Sequence, residues 1–398
     1  MRSVWTLVIL IAVILVIIII LNFLHFIRYS SLAEGNNPVI TPDGEYLAYR
    51  KDNSIGSINK DGTARQLLIE LKDEPDDEKE FIFVPLWTTR SILENSIQDY
   101  RILFNSGVYG GPYQTATITL KSADPAINYE IIPPENRDVW KPFISSSGGH
   151  LTFIDTPTGA FESGQSDWDI KHMDRNTGTI TDITPPDDGL WQKCPSVSND
   201  GKILFLEWID EIEVNSEPEI GEISHINIWK LICQSLPVSS DNDPENLDII
   251  QSSKRKISDT SFEIDLSYPI ISSAGNYAVY TSMGQLRIVD FTVNPIQCKT
   301  LVHDMLVLEP CISQNGQWIS FKARMRADEA EGRYDHYHLF RIRSDGSGLK
   351  QITRGDAEIT VAEGKPGISN NGDVVYMNDN KIIYADVYTI LERLLGRS

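Results

Sequence analysis

Apolar residues crowd the first thirty positions, then fall into short strand-length bursts divided by glycine corners. From Val4 to Ile27 only Thr6, Asn22 and His25 interrupt a hydrophobic run. As a helix, its 24 residues span about 36 Å, enough to cross a hydrocarbon core of about 30 Å. Trp5 at one end, and Phe26, Arg28 and Tyr29 at the other, are interfacial residue types. The run exceeds the about 7 to 15 apolar residues of a cleaved secretory signal. A transmembrane anchor is therefore predicted over 1–28, followed by a linker over 29–37. With its short tail inside, such an anchor exports everything that follows, to a periplasmic or extracellular position.

From Pro38 the pattern repeats. Six segments begin at proline and reach glycine six residues later: PVITPDG at 38–44, PFISSSG at 142–148, PSVSNDG at 195–201, PIISSAG at 269–275, PCISQNG at 310–316 and PGISNNG at 366–372. Each carries Ile or Val two residues after the proline and Ser or Thr three after, then enters an apolar strand such as EYLAY, KILFL or DVVYM. Proline suits the start of a strand, where its missing N–H does little harm. The glycine supplies the positive φ of a tight hairpin. A third strand often ends in another polar glycine turn, as in SINKDGT at 57–63 and RIRSDGS at 341–347. Four short strands per unit, each needing neighbours to cover both faces, describe the blade of an all-β propeller. With PLWT at 85–88 as a degenerate start, the proline spacings are 47, 57, 53, 74, 41 and 56. Seven starts predict seven blades, with six as the alternative, and closure of the ring requires the last blade to borrow a strand from elsewhere.

The stretches ITPDGEYLAY at 40–49, SNDGKILFL at 198–206 and SDGSGLKQIT at 344–353 resemble the TolB-like, WD40-like β-propeller repeat. The resemblance covers 38–386, although the full Pro-Asp-Gly corner stands only at Pro42-Asp43-Gly44. It implies a fold that serves both as a binding platform and as an accessory domain of hydrolases.

A formal charge of -21 repels phosphate backbones and argues against nucleic-acid binding. The four cysteines, Cys194, Cys233, Cys298 and Cys311, form no CxxC pair. They read as small buried strand residues, although an even count would permit two disulfides. The sequence carries no nucleophile elbow, HExxH, P-loop or dinucleotide fingerprint.

The insertions, at 68–84, 155–168, 207–225, 232–266 and 323–337, fall on second-to-third loops and blade-to-blade links. Both open on the face opposite the glycine corners. Acidic residues concentrate there: Glu70, Asp73, Glu74, Asp76, Asp77, Glu78 and Glu80 in one insertion, and Glu207, Asp210, Glu211, Glu213, Glu217, Glu219 and Glu222 in another. Glu211, Glu213, Glu217, Glu219 and Glu222, with Asp167 and Asp169, are the predicted binding residues, for a basic protein surface. Clustered carboxylates also suit a structural calcium, while a solvated loop needs no ligand at all. No other cofactor is expected. Asp335-His336-Tyr337-His338 offers two imidazoles without an identifiable third ligand. Trp140, Trp168, Trp191, Trp229 and Trp318 recur at blade positions, and Lys254-Arg255-Lys256 is a short basic patch. Val387, Ile390, Leu391, Leu394 and Leu395 form one helical stripe, predicting a C-terminal amphipathic helix over 387–398 after a propeller ending at 386. The expected function is a non-catalytic, membrane-anchored interaction module at the cell envelope with a protein partner. The alternative is a hydrolase or lyase acting on glycans or peptides at the central channel.

Overall fold

Each proline start opens one sheet. The computed structural model describes residues 25–52, 54–70, 87–90, 100–107, 113–119, 130–131, 138–156, 169–184, 192–215, 223–236, 255–256, 269–325, 337–353 and 365–389, together with Val13. Among the described residues there are seven four-stranded antiparallel sheets. Their first strands are Asn36–Ile40, Trp87–Arg90, Asp138–Ile144, Gln192–Val197, Ile270–Ile271, Met305–Ile312 and Gly367–Ile368. Each first strand touches that of the next sheet, and the seventh touches the first, so together they form an inner ring around an axis. The core lies between successive sheets: Val279, Ile288, Val307, Phe321 and Phe340 share one cluster across the fifth and sixth.

The first six sheets each use four strands consecutive in sequence, but the seventh does not. Its outer strand is His25–Glu34, which pairs with Lys381–Thr389 from His25↔Thr389 to Glu34↔Lys381. The expected linker over 29–37 is thus mostly sheet, and the last residues assigned to the anchor, from His25 on, are strand. Packing explains this: Leu32 and Ala33 are buried against Ile382 and Tyr384, while Ile27 and Tyr29 cover Ala385 and Val387. The Tyr29 hydroxyl donates to the Ile352 carbonyl of the sixth sheet, and the Arg65 guanidinium, in the first, donates to the Leu32 carbonyl. Val387 to Thr389 are strand rather than the start of a helix; the rest of the expected C-terminal helix lies outside the described residues. Among the described residues no helix is long and apolar enough to cross a membrane, and the predicted span before His25, Val13 apart, lies outside them.

The corner chemistry repeats almost without variation. At Thr41, Ser145, Ser198, Ser272 and Ser313 the hydroxyl accepts the first amide of the second strand, and at Ser369 the amide of Asp373 just before it, at 3.0–3.1 Å. That is why the unit keeps a hydroxyl residue three places after its proline: it satisfies an amide that the tight turn would strand. Successive corners are also tied together. Ser147 N donates to Asn199 Oδ1 (2.8 Å), Asn199 N to Ser273 O (2.8 Å) and Ser273 N to Gln314 O (2.9 Å). Asn315 N donates to Asn370 Oδ1 (2.9 Å) and Asn370 N to Pro42 O (2.8 Å). Five consecutive junctions, from the third sheet round to the first, share this rim. At Gly372 (φ +86) a Cβ would sit 2.5 Å from Arg341 Nη1 and 2.9 Å from Trp318. The residue there must be glycine for both backbone and space.

Candidate functional site

The predicted binding residues divide between a projecting ribbon and segments outside the described residues. In the fourth sheet the second and third strands are Lys202–Asn215 and Ile223–Ser235. The first strand pairs no further than Gln192↔Glu207. From Trp208↔Trp229 to Asn215↔Ile223 the long strands pair with each other. The expected 207–225 loop is therefore largely a two-stranded ribbon, reaching about 26 Å past the blade at 3.3 Å per residue. Register sets Glu211 opposite Asn227 and Glu213 opposite His225, and Ile212 opposite Ile226 on the alternate positions. The ribbon is thus amphipathic by sequence and register. Glu217, Glu219, Glu222 and Asp167 lie outside the described residues. Asp169 opens the strand Asp169–Asp174 opposite Asp155, in a different sheet from the ribbon.

Other expectations resolve the same way. Cys194, Cys233, Cys298 and Cys311 are free thiols, the first two and the last buried. Arg255–Lys256 is the fourth strand of the fourth sheet, so the basic patch belongs to a blade and not to an open link. Trp318 is buried, with Arg341 and Arg343 stacked at 4.2 and 4.3 Å from its ring centroid. Asp335, His336, Trp168, Trp191 and the acidic stretch 73–80 lie outside the described residues. Among the described residues no three His, Cys, Asp or Glu side chains form a metal-sized group.

A second arrangement lies at the axis. The residue before the proline in four first strands has a left-handed backbone: Asn37 (φ 48), Lys141 (φ 46), Cys194 (φ 59) and Glu309 (φ 49). Each occupies a bulge, where the register slips between Asn36 and Val39, Trp140 and Phe143, Lys193 and Ser196, and Leu308 and Cys311. Proline bars the preceding residue from right-handed α, and a bulge with one unpaired residue accommodates the result. The conformation costs about 1–3 kcal/mol for a non-glycine residue, a form of strain that clusters at functional sites. Lys365, before Pro366, holds the same place in the seventh repeat.

Charges from three sheets bear on one thiol of the ring. Burial pushes the Cys194 thiol up to about 11, against the nearby charges of Lys141, Lys193 and Lys365. Cys194 stands on the fourth sheet and Lys365 on the seventh, so they reach each other only across the axis. Burial also lowers the Lys365 ammonium from its ordinary range, opposed by Cys311, Glu309 and Cys194. Lys365 keeps some accessible surface. Glu309 is matched by Lys322 Nζ at 2.9 Å, the lysine 2% exposed. The signal for this ring was in plain sequence, as the column before each proline: Asn37, Val84, Lys141, Cys194, Tyr268, Glu309 and Lys365. Reading the prolines as starts, without reading the residue ahead of them, misses it.

No family model and no curated protein sequence matches the chain. Solved structures do. The β-propeller domain of the Trilobed protease from Pyrococcus furiosus, of open velcro topology, aligns with a TM-score of 0.52 at 11% identity, over 92% of this chain and 96% of that one. The Cps50 (Swd1) β-propeller domain of Myceliophteria thermophila gives 0.50 at 8% identity, over 92% and 100%. The fold is a β-propeller. Prolyl endopeptidases also align, with a TM-score of 0.50 at 9% identity, over 87% of this chain but 46% of theirs. Enzymes and isolated propeller domains alike adopt this fold, so the likeness carries architecture and not chemistry.

Proposed function

We propose that the protein is a non-catalytic interaction module: a TolB-like propeller whose seven sheets are the blades of one ring, anchored in a membrane by 4–24 and exported to the cell envelope. The projecting ribbon carries the reading. An arm this long, paired only to itself among the described residues, offers two different sides to a partner. Glu211 and Glu213, with Glu217, Glu219, Glu222, Asp167 and Asp169 nearby in the repeat scheme, suit a basic protein surface. Orientation supports it. In the seventh sheet His25 lies beside Thr389, at the corner end of the strands, and Glu34 beside Lys381, at the opposite end. The apolar segment therefore enters the ring from the corner face, and the ribbon points away from the membrane that segment would occupy.

Photo-crosslinkers placed at Glu211, on the ribbon, and at Asp61, on the corner face, test this in intact membranes. A discrete protein adduct is expected from position 211 and not from 61, and it should vanish when excess unlabelled ribbon-bearing propeller competes. No adduct at 211, or the same adduct from both positions, would overturn the reading.

A further inference from the structure

We propose that the face opposite the corners carries a binding site for a soft monovalent cation, Cu(I), formed by the thioethers of Met283, Met305 and Met325 with the imidazole of His303. It does not depend on the ribbon's role or on a membrane anchor. Three observations carry it. The first is convergence. Met305 and Met325 are partners across the first two strands of the sixth sheet, at a Cβ separation of about 4.5–5.5 Å. Gly284 of the fifth sheet is tied to the same strand: its carbonyl accepts from Val307 N at 2.7 Å, and a Cβ on it would lie 3.7 Å from Leu306 Cα. Met283 and Met305 are the next residues along from that contact. Exposed His303 stands in the short link between these two sheets, two places before Met305. The second is exposure. Met283 and Met325 are 65% and 40% exposed, whereas Met173 and Met377 are buried. Three of the six methionines in the chain thus gather at one junction, and two of them face solvent. The third is the backbone. Met283 and Gly284 (φ 51 and 70) form the turn between the paired residues Ser282 and Gln285. A two-residue turn of this kind favours Asn, Asp or Gly, and the equivalent turns of the first and seventh sheets begin with Asp52 (φ 51) and Asp379 (φ 51). A methionine there brings more strain and more exposed apolar surface than its counterparts do.

The donor set selects the ion. Thioether sulfur is soft and polarisable, and it favours Cu(I) over calcium or magnesium. Neutral thioethers, unlike thiolates, also give a divalent ion such as Zn(II) no charge to offset its desolvation. The chain's net charge of -21 raises the concentration of any cation near its surface. Met305, packed in part against the core between the fifth and sixth sheets, anchors the set, and the exposed Met283 and Met325 close over the ion.

Silver(I), a soft monovalent ion without redox chemistry under these conditions, is the first probe. It is titrated into the full chain in detergent micelles, isotope-labelled at the methionine methyls. Cys298→Ser is carried throughout, since Cys298 is the cysteine that is not buried. The methyl signals of Met283, Met305 and Met325 are expected to shift together and saturate at one equivalent, while those of Met173 and Met377 stay in place. Cu(I), offered in competition with a chromogenic chelator, should be retained at the same stoichiometry, and excess Zn(II) should not displace it. Met283→Asn suits the turn better, so melting should hold or rise while Cu(I) binding weakens by about tenfold or more, which is about 1.4 kcal/mol. Met325→Leu, close in volume, should weaken binding to a similar degree. Unmoved signals, equal shifts at Met173 and Met377, or displacement by Zn(II) would overturn the proposal, as would full-strength Cu(I) binding in the chain carrying both substitutions. Should that variant fail to fold, the methyl titration with all three methionines in place decides alone.

Discussion

The corner rim and the axial ring lie on the same strands, a few residues apart, and could hardly differ more. At the rim six of the seven units repeat one bond: a Ser or Thr hydroxyl receiving an amide at 3.0–3.1 Å. At the axis, four units repeat one strained backbone and give it four different side chains, Asn37, Lys141, Cys194 and Glu309. A bond repeated identically builds the ring. A conformation retained while its chemistry changes is better explained by a use for the side chains, since Asn or Gly would hold the left-handed bulge at lower cost.

Breaking the ring itself should have the largest effect, since rim and axis both require closure. Deleting 25–34 uncovers the edge of Lys381–Thr389 and the buried faces of Ile382 and Tyr384. Calorimetry should then show loss of the single cooperative transition, with aggregation on heating. Leu32→Ala, a milder cut at a buried position, should cost about 2–5 kcal/mol in denaturant unfolding. Unchanged melting in either variant would mean that the seventh sheet closes without this strand.

The rim can be tested one bond at a time. Ser313 Oγ accepts from Trp318 N at 3.0 Å and donates to Asn315 Oδ1 at 2.7 Å, and Ser313 is fully buried. Ser313→Ala should therefore cost about 1–3 kcal/mol by stranding a buried amide. Lys365→Met, which removes a desolvated charge, should leave stability equal or raise it. If both changes destabilise alike, the contrast between rim and axis fails.

A smaller, pH-dependent effect sits just behind the third corner. His150 Nδ1 lies 3.0 Å from His172 Nε2, and burial, with the His150 charge adding to it, lowers His172 from 6.5 to about 3. The folded pKa is depressed, so this histidine's contribution is fully present above pH 6.5 and is lost as pH falls toward 3. Between those values the slope is about 1.4 kcal/mol per pH unit for one proton. Denaturant titrations of wild type and His172→Gln between pH 7 and pH 5 should diverge by that slope; parallel curves would remove the histidine from the account.

The rim was legible in sequence because its chemistry is local: the proline, the hydroxyl and the glycine act within seven residues and recur. The seven starts likewise match seven sheets. The outer strand of the seventh sheet was not legible, because His25–Glu34 finds its partner at Lys381–Thr389, and Phe26, Arg28 and Tyr29 look like the flank of the apolar run beside them. Val387 misled in the mirror sense: it begins a helical stripe in sequence, yet it is a buried strand residue whose amide donates to Asp373 Oδ1 at 3.1 Å. Arg255–Lys256, two residues in a polar stretch, carries no pattern at all. The ribbon read as a loop because its carboxylates masked an alternation that pairing makes plain. The column of residues ahead of each proline was in the sequence, but its shared environment was not, since only the fold brings Cys194 and Lys365 within electrostatic reach of each other.

The pairing of His25–Glu34 with Lys381–Thr389 also sets a clock on biosynthesis. The strand leaves the ribosome about 350 residues before its partner, a wait of about 20–70 s at ordinary elongation rates. Through that interval its ladder is unsatisfied and open to foreign strands. A chain cut short anywhere before Lys381 can never complete the ring. Closure thus doubles as a check that synthesis has carried the chain past Lys381–Thr389.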